Sequence, residues 1–256
     1  MSPEVVDDRA LAGELAAAAG RLLLEVRSGS GLAGKELGDA GDLRSNDFLL
    51  ARLAADRPGD LVLSEESADD KRRLAASRVW IVDPLDGTRE YRAPGHSDWA
   101  VHVALWSAGE LIAGAVALPA LEVTYVDDGI PIPVTAGLLP SPDDDRPRVV
   151  VSGSRPPVFS DAVAEAVGGV LTPLGSAGAK AMAVVRGEAA AYVHAGGQYE
   201  WDSAAPVAVA RAHGLWCGRI DGSPLVYNND DTYLPDLIIC RPELVDTIVG
   251  VTRAHA

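Results

Sequence analysis

The stretch Val79-Trp80-Ile81-Val82-Asp83-Pro84-Leu85-Asp86-Gly87-Thr88 joins a short apolar run to two acids spaced three apart, followed by Gly-Thr. The apolar run reads as a buried strand, and in layered α/β folds ligands gather where strands end and backbone groups leave the ladder. Pro84 fixes its own φ, which helps hold both carboxylates in one turn. Carboxylates brought close repel one another, so a cation between them is the low-energy arrangement. Gly87 and Thr88 would then open a helix whose free N–H groups suit a phosphate. The plainer alternative is a turn with a capping acid.

Two further acidic segments flank this stretch. Ser64-Glu65-Glu66-Ser67 follows the apolar run Leu61-Val62-Leu63, and Trp201-Asp202-Ser203-Ala204-Ala205-Pro206 places an acid where a helix begins. Taken singly, the first reads as a solvated loop and Asp202 as an N-cap. In the order strand-acid, strand-acid pair, helix-start acid, the three read as one divided site.

The rest of the chain supplies alternating elements. Leu11, Leu15, Ala18, Leu22 and Val26 recur at spacings of three and four, predicting an amphipathic helix over about 3–27. A mobile Ser/Gly loop is expected over 28–34 and a second helix over 46–55. Residues 99–106, 111–118 and 121–126 read as strands of an antiparallel meander. Residues 140–147, with Asp143-Asp144-Asp145, read as a solvated connection between sub-domains of about 1–140 and 147–256 in a single catalytic domain, 1–256. Beyond it we expect strands at 149–151, 190–193 and 237–239, and helices at 158–167, 177–186, 203–213 and 243–253. The fold class is α/β, with helices and sheets in layers.

Composition narrows the function. Of 256 residues, 48% are hydrophobic and 23% charged, which fits a folded globular chain. With 37 Asp+Glu against 22 Lys+Arg the net charge is −15, so a nucleic-acid polymer would be repelled. A small anion remains acceptable where a cation offsets the field. Cys217 and Cys240 lack metal spacing and read as buried thiols in a reducing compartment. No run approaches the ~18 apolar residues of a membrane span. The acidic opening Met1-Ser2-Pro3-Glu4-Val5-Val6-Asp7-Asp8 is unlike a basic leader, so a cytoplasmic protein is expected.

The Glu-Glu pair, Asp-Pro-Leu-Asp-Gly-Thr and Trp-Asp-x-Ala-Ala, in this order, resemble the hallmarks of the lithium-sensitive, magnesium-dependent phosphomonoesterases of the inositol monophosphatase superfamily. The continuation Arg89-Glu90-Tyr91 is similar to that of the bacterial CysQ-type 3′-phosphoadenosine 5′-phosphate phosphatases. The resemblance implies a five-layer α-β-α-β-α sandwich and two to three Mg2+ ions. Glu65, Asp83 and the Leu85 carbonyl would hold one ion, and Asp83, Asp86 and Asp202 a second. A third, weaker ion would lean on Glu65. Hard magnesium favours such oxygen donors. Thr88, with Glu65 or Asp47, would orient the attacking water. The family usually writes Val-Thr-x-x-Asp ahead of the second helix, where this chain has Leu43-Arg44-Ser45-Asn46-Asp47. For substrate binding the resemblance points to Asp86, Gly87, Thr88, Arg89, Ser152, Ser176, Lys180, Glu200 and Asp202. It also implies a homodimer.

Other hydrolase signatures fail. Gly29-Ser30-Gly31-Leu32-Ala33-Gly34-Lys35 begins like a P-loop, but Glu36 stands where Ser or Thr would bind magnesium, and a helix precedes it. The acids of the central motif are one residue too far apart for an aspartyl-phosphate enzyme. There is no His-Glu-x-x-His and no Gly-x-Ser-x-Gly. The expected activity is hydrolysis of 3′-phosphoadenosine 5′-phosphate to AMP and phosphate, in sulfate assimilation. The alternative is an inositol-1-phosphate or fructose-1,6-bisphosphate phosphatase, or relaxed specificity across all three.

Overall fold

The computed structural model describes residues 7–131, 137–139 and 145–256. The expected start of the first helix at residue 3 and the 140–144 part of the expected connection lie outside these. A first antiparallel meander begins with one parallel pair. Strands β1 (Leu61–Ser64), β2 (Arg78–Asp86), β3 (Ala100–Ser107), β4 (Glu110–Leu118) and β5 (Val123–Val126) lie in sequence order. The second sheet runs β7 (Val170–Leu174), β6 (Arg148–Ser152), β8 (Ala191–Tyr199), β10 (Tyr233–Cys240) and β9 (Trp216–Gly218).

Helices fill the remaining layers. Helix α1 (Asp8–Gly29) packs on β3 and β4, and α2 (Gly34–Asp56) packs on α1 and β2, burying Leu11, Leu15, Leu23, Leu49 and Leu53 against Trp80, Val101 and Val103. Helices α5 (Ala177–Val185) and α6 (Glu200–Ala212) lie between the two sheets, where Ile81, Ala104, Met182, Ala205 and Tyr192 share one core. Helices α4 (Ser160–Ala166) and α7 (Val245–Thr252) cover the outer face of the second sheet. The short α3 (Thr88–Arg92) follows β2. The order is therefore helix, sheet, helix, sheet, helix, as expected. Among the described residues no helix is long and apolar enough to cross a membrane.

Several boundaries differ from the sequence expectation. Helix α2 starts at Gly34 rather than 46, because Gly38 and Gly41 face neighbouring side chains instead of breaking it. A Cβ on Gly38 would stand 2.9 Å from Thr88 Cγ2, and one on Gly41 would stand 2.8 Å from Tyr91 Cε1. These glycines cost helix propensity but let α3 approach. The expected loop over 28–34 shrinks accordingly. Strand β5 begins at Val123, because Pro119–Leu121 forms a single 3₁₀ turn. Strands β7 and β9 escape periodicity: β7 carries Pro173 at the sheet edge, and β9 has only three residues.

Candidate active site

Sheet register brings the first two acidic segments together. β1 pairs with β2 in parallel, Ser64 opposite Val82, so Glu65 and Asp83 each follow directly on the last pair. β2 then bulges against β3 between Asp83 and Asp86, which accommodates Pro84 and turns both acids toward the sheet end. The third acid comes from the start of α6. Tyr199 is the N-cap and Asp202 the third helical residue, its Oδ2 accepting the Tyr199 N–H at 2.7 Å. Asp202 is thus bound to the helix end as the cap reading expects, though from inside the first turn.

Asp83, Asp86 and Asp202 each offer a carboxylate oxygen within 4.8 Å of the others. Asp83 Oδ1 accepts the Leu85 N–H at 3.0 Å, while its Oδ2 is buried with no partner among the described residues. The Asp86 oxygens accept Ala177 N–H at 3.2 Å and Gly178 N–H at 2.6 Å, at the start of α5. Buried His102 sets its Nε2 3.2 Å from Asp86 Oδ2 and its Nδ1 3.1 Å from the Trp201 carbonyl, tying β3 to two acid-bearing segments.

The electrostatics follow from this crowding. Burial and then Glu65, Asp86 and Asp202 drive the Asp83 carboxyl well above the usual range. Glu65 is exposed as a residue, yet its carboxylate lies against Asp83, and desolvation followed by the Asp202 charge raises it to about 8. Burial and then Asp86 raise Asp202 to about 6. Burial also pushes Asp86 up, but His102, the Gly178 N–H and Lys180 together outweigh it and leave Asp86 below the usual value. Four carboxyl groups crowded in this way, three of them holding their protons more tightly than usual and one with an unsatisfied oxygen, form a donor set suited to a hard divalent cation.

Thr88 caps the other side. Its Oγ1 lies 3.2 Å from both Asp42 Oδ1 and the Leu85 carbonyl, and its single hydrogen serves one of them at a time. Burial and then Glu66 raise Asp42 to about 7, against the lowering effect of the Thr88 bond. The structure therefore pairs Thr88 with Asp42 and not with Asp47. On α2 the inward row is Asp42, Ser45 and Asn46, at i, i+3 and i+4. Ser45 Oγ donates to the Pro84 carbonyl at 2.7 Å, and Asn46 Oδ1 accepts from Ser64 Oγ at 2.7 Å. Asp47 and Arg44 are exposed on the other face. The helical spacing of Asp42 with two buried polar residues was the available signal for it, whereas nothing in the sequence marked His102.

A cavity of about 530 Å³ opens beside the acids, lined by Asp86, Arg89, Ser152, Ser176, Lys180 and Asp202 among others. That volume suits a small organic ligand. Gly87, also on the wall, adopts φ +86°, which favours glycine, and caps α3. Ser176 Oγ accepts the Ala179 N–H at 2.9 Å as the α5 N-cap, and Ser152 Oγ accepts the Arg155 N–H at 3.2 Å. Arg89 is exposed at the cavity edge. Lys180 is buried. Its ammonium donates to the Gly175 carbonyl and, at 2.8 Å, to that of Ser176. Burial pulls Lys180 down to about 8 against the field of Asp86, Glu90, Asp202 and Asp98.

Glu200 does not join the cavity wall, contrary to the sequence expectation. Its carboxylate accepts Asn228 N–H at 2.7 Å, Asn229 N–H at 2.8 Å and Asn229 Nδ2 at 2.8 Å, fixing the loop that receives Arg73. An acid so occupied and buried is structural.

The inositol monophosphatase family model matches residues 7–249. The chain belongs to this family. Among its curated relatives, a 3′-phosphoadenosine 5′-phosphate phosphatase of Mycobacterium leprae is 49% identical, covering 96% of this chain and 93% of the relative. The enzyme of the same description from Mycobacterium tuberculosis is 50% identical, over 91% and 88%. Inositol monophosphatase II of Staphylococcus aureus superposes with a TM-score of 0.76 at 19% identity, over 94% of each chain. CysQ from Bacteroides thetaiotaomicron gives 0.74 at 24%, over 92% and 98%. These two solved structures establish the shared fold. Within it, this inositol monophosphatase family member gathers Glu65, Asp83, Asp86, Thr88 and Asp202 at one sheet end, with Ser176 and Lys180 on the adjoining wall.

Proposed function

We propose that this phosphatase hydrolyses 3′-phosphoadenosine 5′-phosphate to AMP and phosphate with magnesium, as a step of sulfate assimilation. About 50% identity to two mycobacterial enzymes described by that substrate, over nine-tenths of the chain, supports the choice of ester. The observation that carries the reaction type is the buried, partnerless Asp83 Oδ2 clustered with Asp86 and Asp202, the latter two lining an open cavity. Asp83, Asp86, Asp202, Glu65 and the Leu85 carbonyl would hold the two to three ions. When bound, Mg2+ neutralises phosphoryl oxygens and lowers the pKa of an attacking water.

The chain's own residues have assignable work. Thr88 gives its hydrogen to Asp42, leaving its oxygen free to accept a hydrogen from water. Asp42, near 7 before any cation is present, can receive that proton at neutral pH. The Ala177 and Gly178 N–H groups hold Asp86 in place, and Tyr199 holds Asp202, so the acids are oriented before substrate arrives. Arg89, at the cavity edge, offsets the negative field for an incoming anion. The resemblance to the family also supports a cytoplasmic homodimer that lithium inhibits at sub-saturating magnesium.

A side-by-side comparison of kcat/KM on 3′-phosphoadenosine 5′-phosphate, inositol 1-phosphate and fructose 1,6-bisphosphate tests the substrate. Preference for the nucleotide is expected, and a clear preference for inositol phosphate would overturn it.

A further inference from the structure

His194 and Gln198 stand four residues apart on β8 and line the cavity, each only 4% exposed. Between them Gly196 and Gly197 take φ +80° and +73°. That backbone favours glycine, and it accompanies a turn of the Gly196 carbonyl to 2.8 Å from His194 Nε2. A carbonyl only accepts, so Nε2 carries the ring hydrogen and Nδ1 presents a lone pair. Nδ1 is buried and has no partner among the described residues. Burial, followed by the nearby Lys180 charge, holds His194 down at about 4, against the Gly196 bond and Asp236, so the ring is neutral. Gln198 gives its Nε2–H to Tyr192 Oη at 2.7 Å, and its Oε1 is likewise buried and partnerless.

Buried acceptors without partners are uncommon, and on a cavity wall they call for a donor from the occupant. The place of His194 narrows which donor. Its ring lies 6.3 Å from that of Tyr192, over which Lys180 Nζ stands at 5.3 Å, and Lys180, Asp86 and Asp202 line the same cavity as His194. The donor it meets therefore sits on the acid-bearing side of the cavity.

Building on the phosphatase function above, we propose that His194 Nδ1 accepts the hydroxyl on the carbon next to the phosphoester, which in a 3′-phosphonucleotide is the ribose 2′-hydroxyl. His194 is thus a specificity-determining residue, reading the leaving alcohol while the acids handle the phosphoryl group. A ligand lacking that hydroxyl leaves Nδ1 unpaired and is disfavoured.

The test compares kcat/KM for 3′-phosphoadenosine 5′-phosphate, its 2′-deoxy analogue and its inosine counterpart, with saturating magnesium. Wild-type enzyme is expected to prefer the ribose ester over the deoxy ester by roughly tenfold, the range of one buried hydrogen bond. His194→Phe should bring that ratio close to one, and His194→Asn, whose Oδ1 can accept in place of Nδ1, should retain most of it. Both esters are measured on one preparation, so partial misfolding of a variant cancels from the ratio, and the wild-type ratio needs no variant. Equal wild-type rates on the ribose and deoxy esters, or an unchanged ratio in His194→Phe, would overturn the proposal alone. A loss confined to the inosine ester would overturn the hydroxyl assignment in favour of the adenine amine. Failure of the wild-type enzyme to hydrolyse the nucleotide at all would overturn both the substrate assignment and the role of His194.

Discussion

Replacing Asp83 with Asn should stabilise the metal-free protein while abolishing its activity. Asp83 is 1% exposed, its Oδ2 has no donor, and Glu65, Asp86 and Asp202 all oppose its charge. Asparagine is nearly the same shape. Its Oδ1 can keep the Leu85 N–H bond, while its amide hydrogens occupy the Oδ2 position and face carboxylates that accept them. Relieving one buried unsatisfied group contributes about 1–3 kcal/mol. For a chain of this size each kcal/mol moves Tm by about 2–4 °C, so a rise of roughly 2–12 °C in EDTA at pH 8 is expected. Wild-type protein at magnesium a hundredfold above Kd should gain about 2.7 kcal/mol, and the variant nothing. Thermal unfolding of both proteins, with EDTA and with magnesium, reads all four values. A lower Tm for metal-free Asp83→Asn than for metal-free wild type, or a retained magnesium shift, would refute the crowded-acid account.

Other outcomes follow from the same geometry. Asp42→Asn should reduce kcat by about 10²–10⁴ with KM little changed, whereas Asp47→Asn should leave both near wild type in steady-state assays. Glu65, raised from 4.5 to about 8, and Asp202, raised from 3.8 to about 6, bind protons in the folded state that the unfolded chain has released. Metal-free stability should therefore fall as pH rises from about 4 to 8, and the magnesium-induced rise in Tm should be larger at pH 8.5 than at pH 6. A pH-independent magnesium shift would contradict these carboxyls as the binding groups. Glu200→Gln should lower stability by about 1–3 kcal/mol in urea unfolding and leave KM unchanged, because that acid serves the 228–229 backbone.

The layered class and most strands were legible because their signals are local. The runs 61–63, 79–82 and 99–106 carry apolar residues continuous enough to mark strands buried on both faces, and β1 to β3 lie there. Helix α2 was half hidden: Gly34, Gly38 and Gly41 weaken its first turns locally, and only the approach of Thr88 and Tyr91 explains Gly38 and Gly41. The same hidden half concealed Asp42. With the helix expected from residue 46, Asp47 matched the acid of the family's Val-Thr-x-x-Asp, whereas in the complete helix Asp42, Ser45 and Asn46 share the inward row.

The sequence by itself determined which chemistry was available: acids at the ends of strands and at a helix start, in a chain too acidic for a nucleic-acid polymer. Bond geometry ensures that much, since Asp83 and Asp86 are confined to one turn by the residues between them. Which oxygens are left wanting a partner was decided only by tertiary structure. His102 reaches the Trp201 carbonyl 99 residues away, and α5 donates to Asp86 across 91 and 92 residues. Glu200 is taken out of the site by a loop that folds back upon it. Contacts over such separations depend on how layers pack, and no short stretch of chain encodes them.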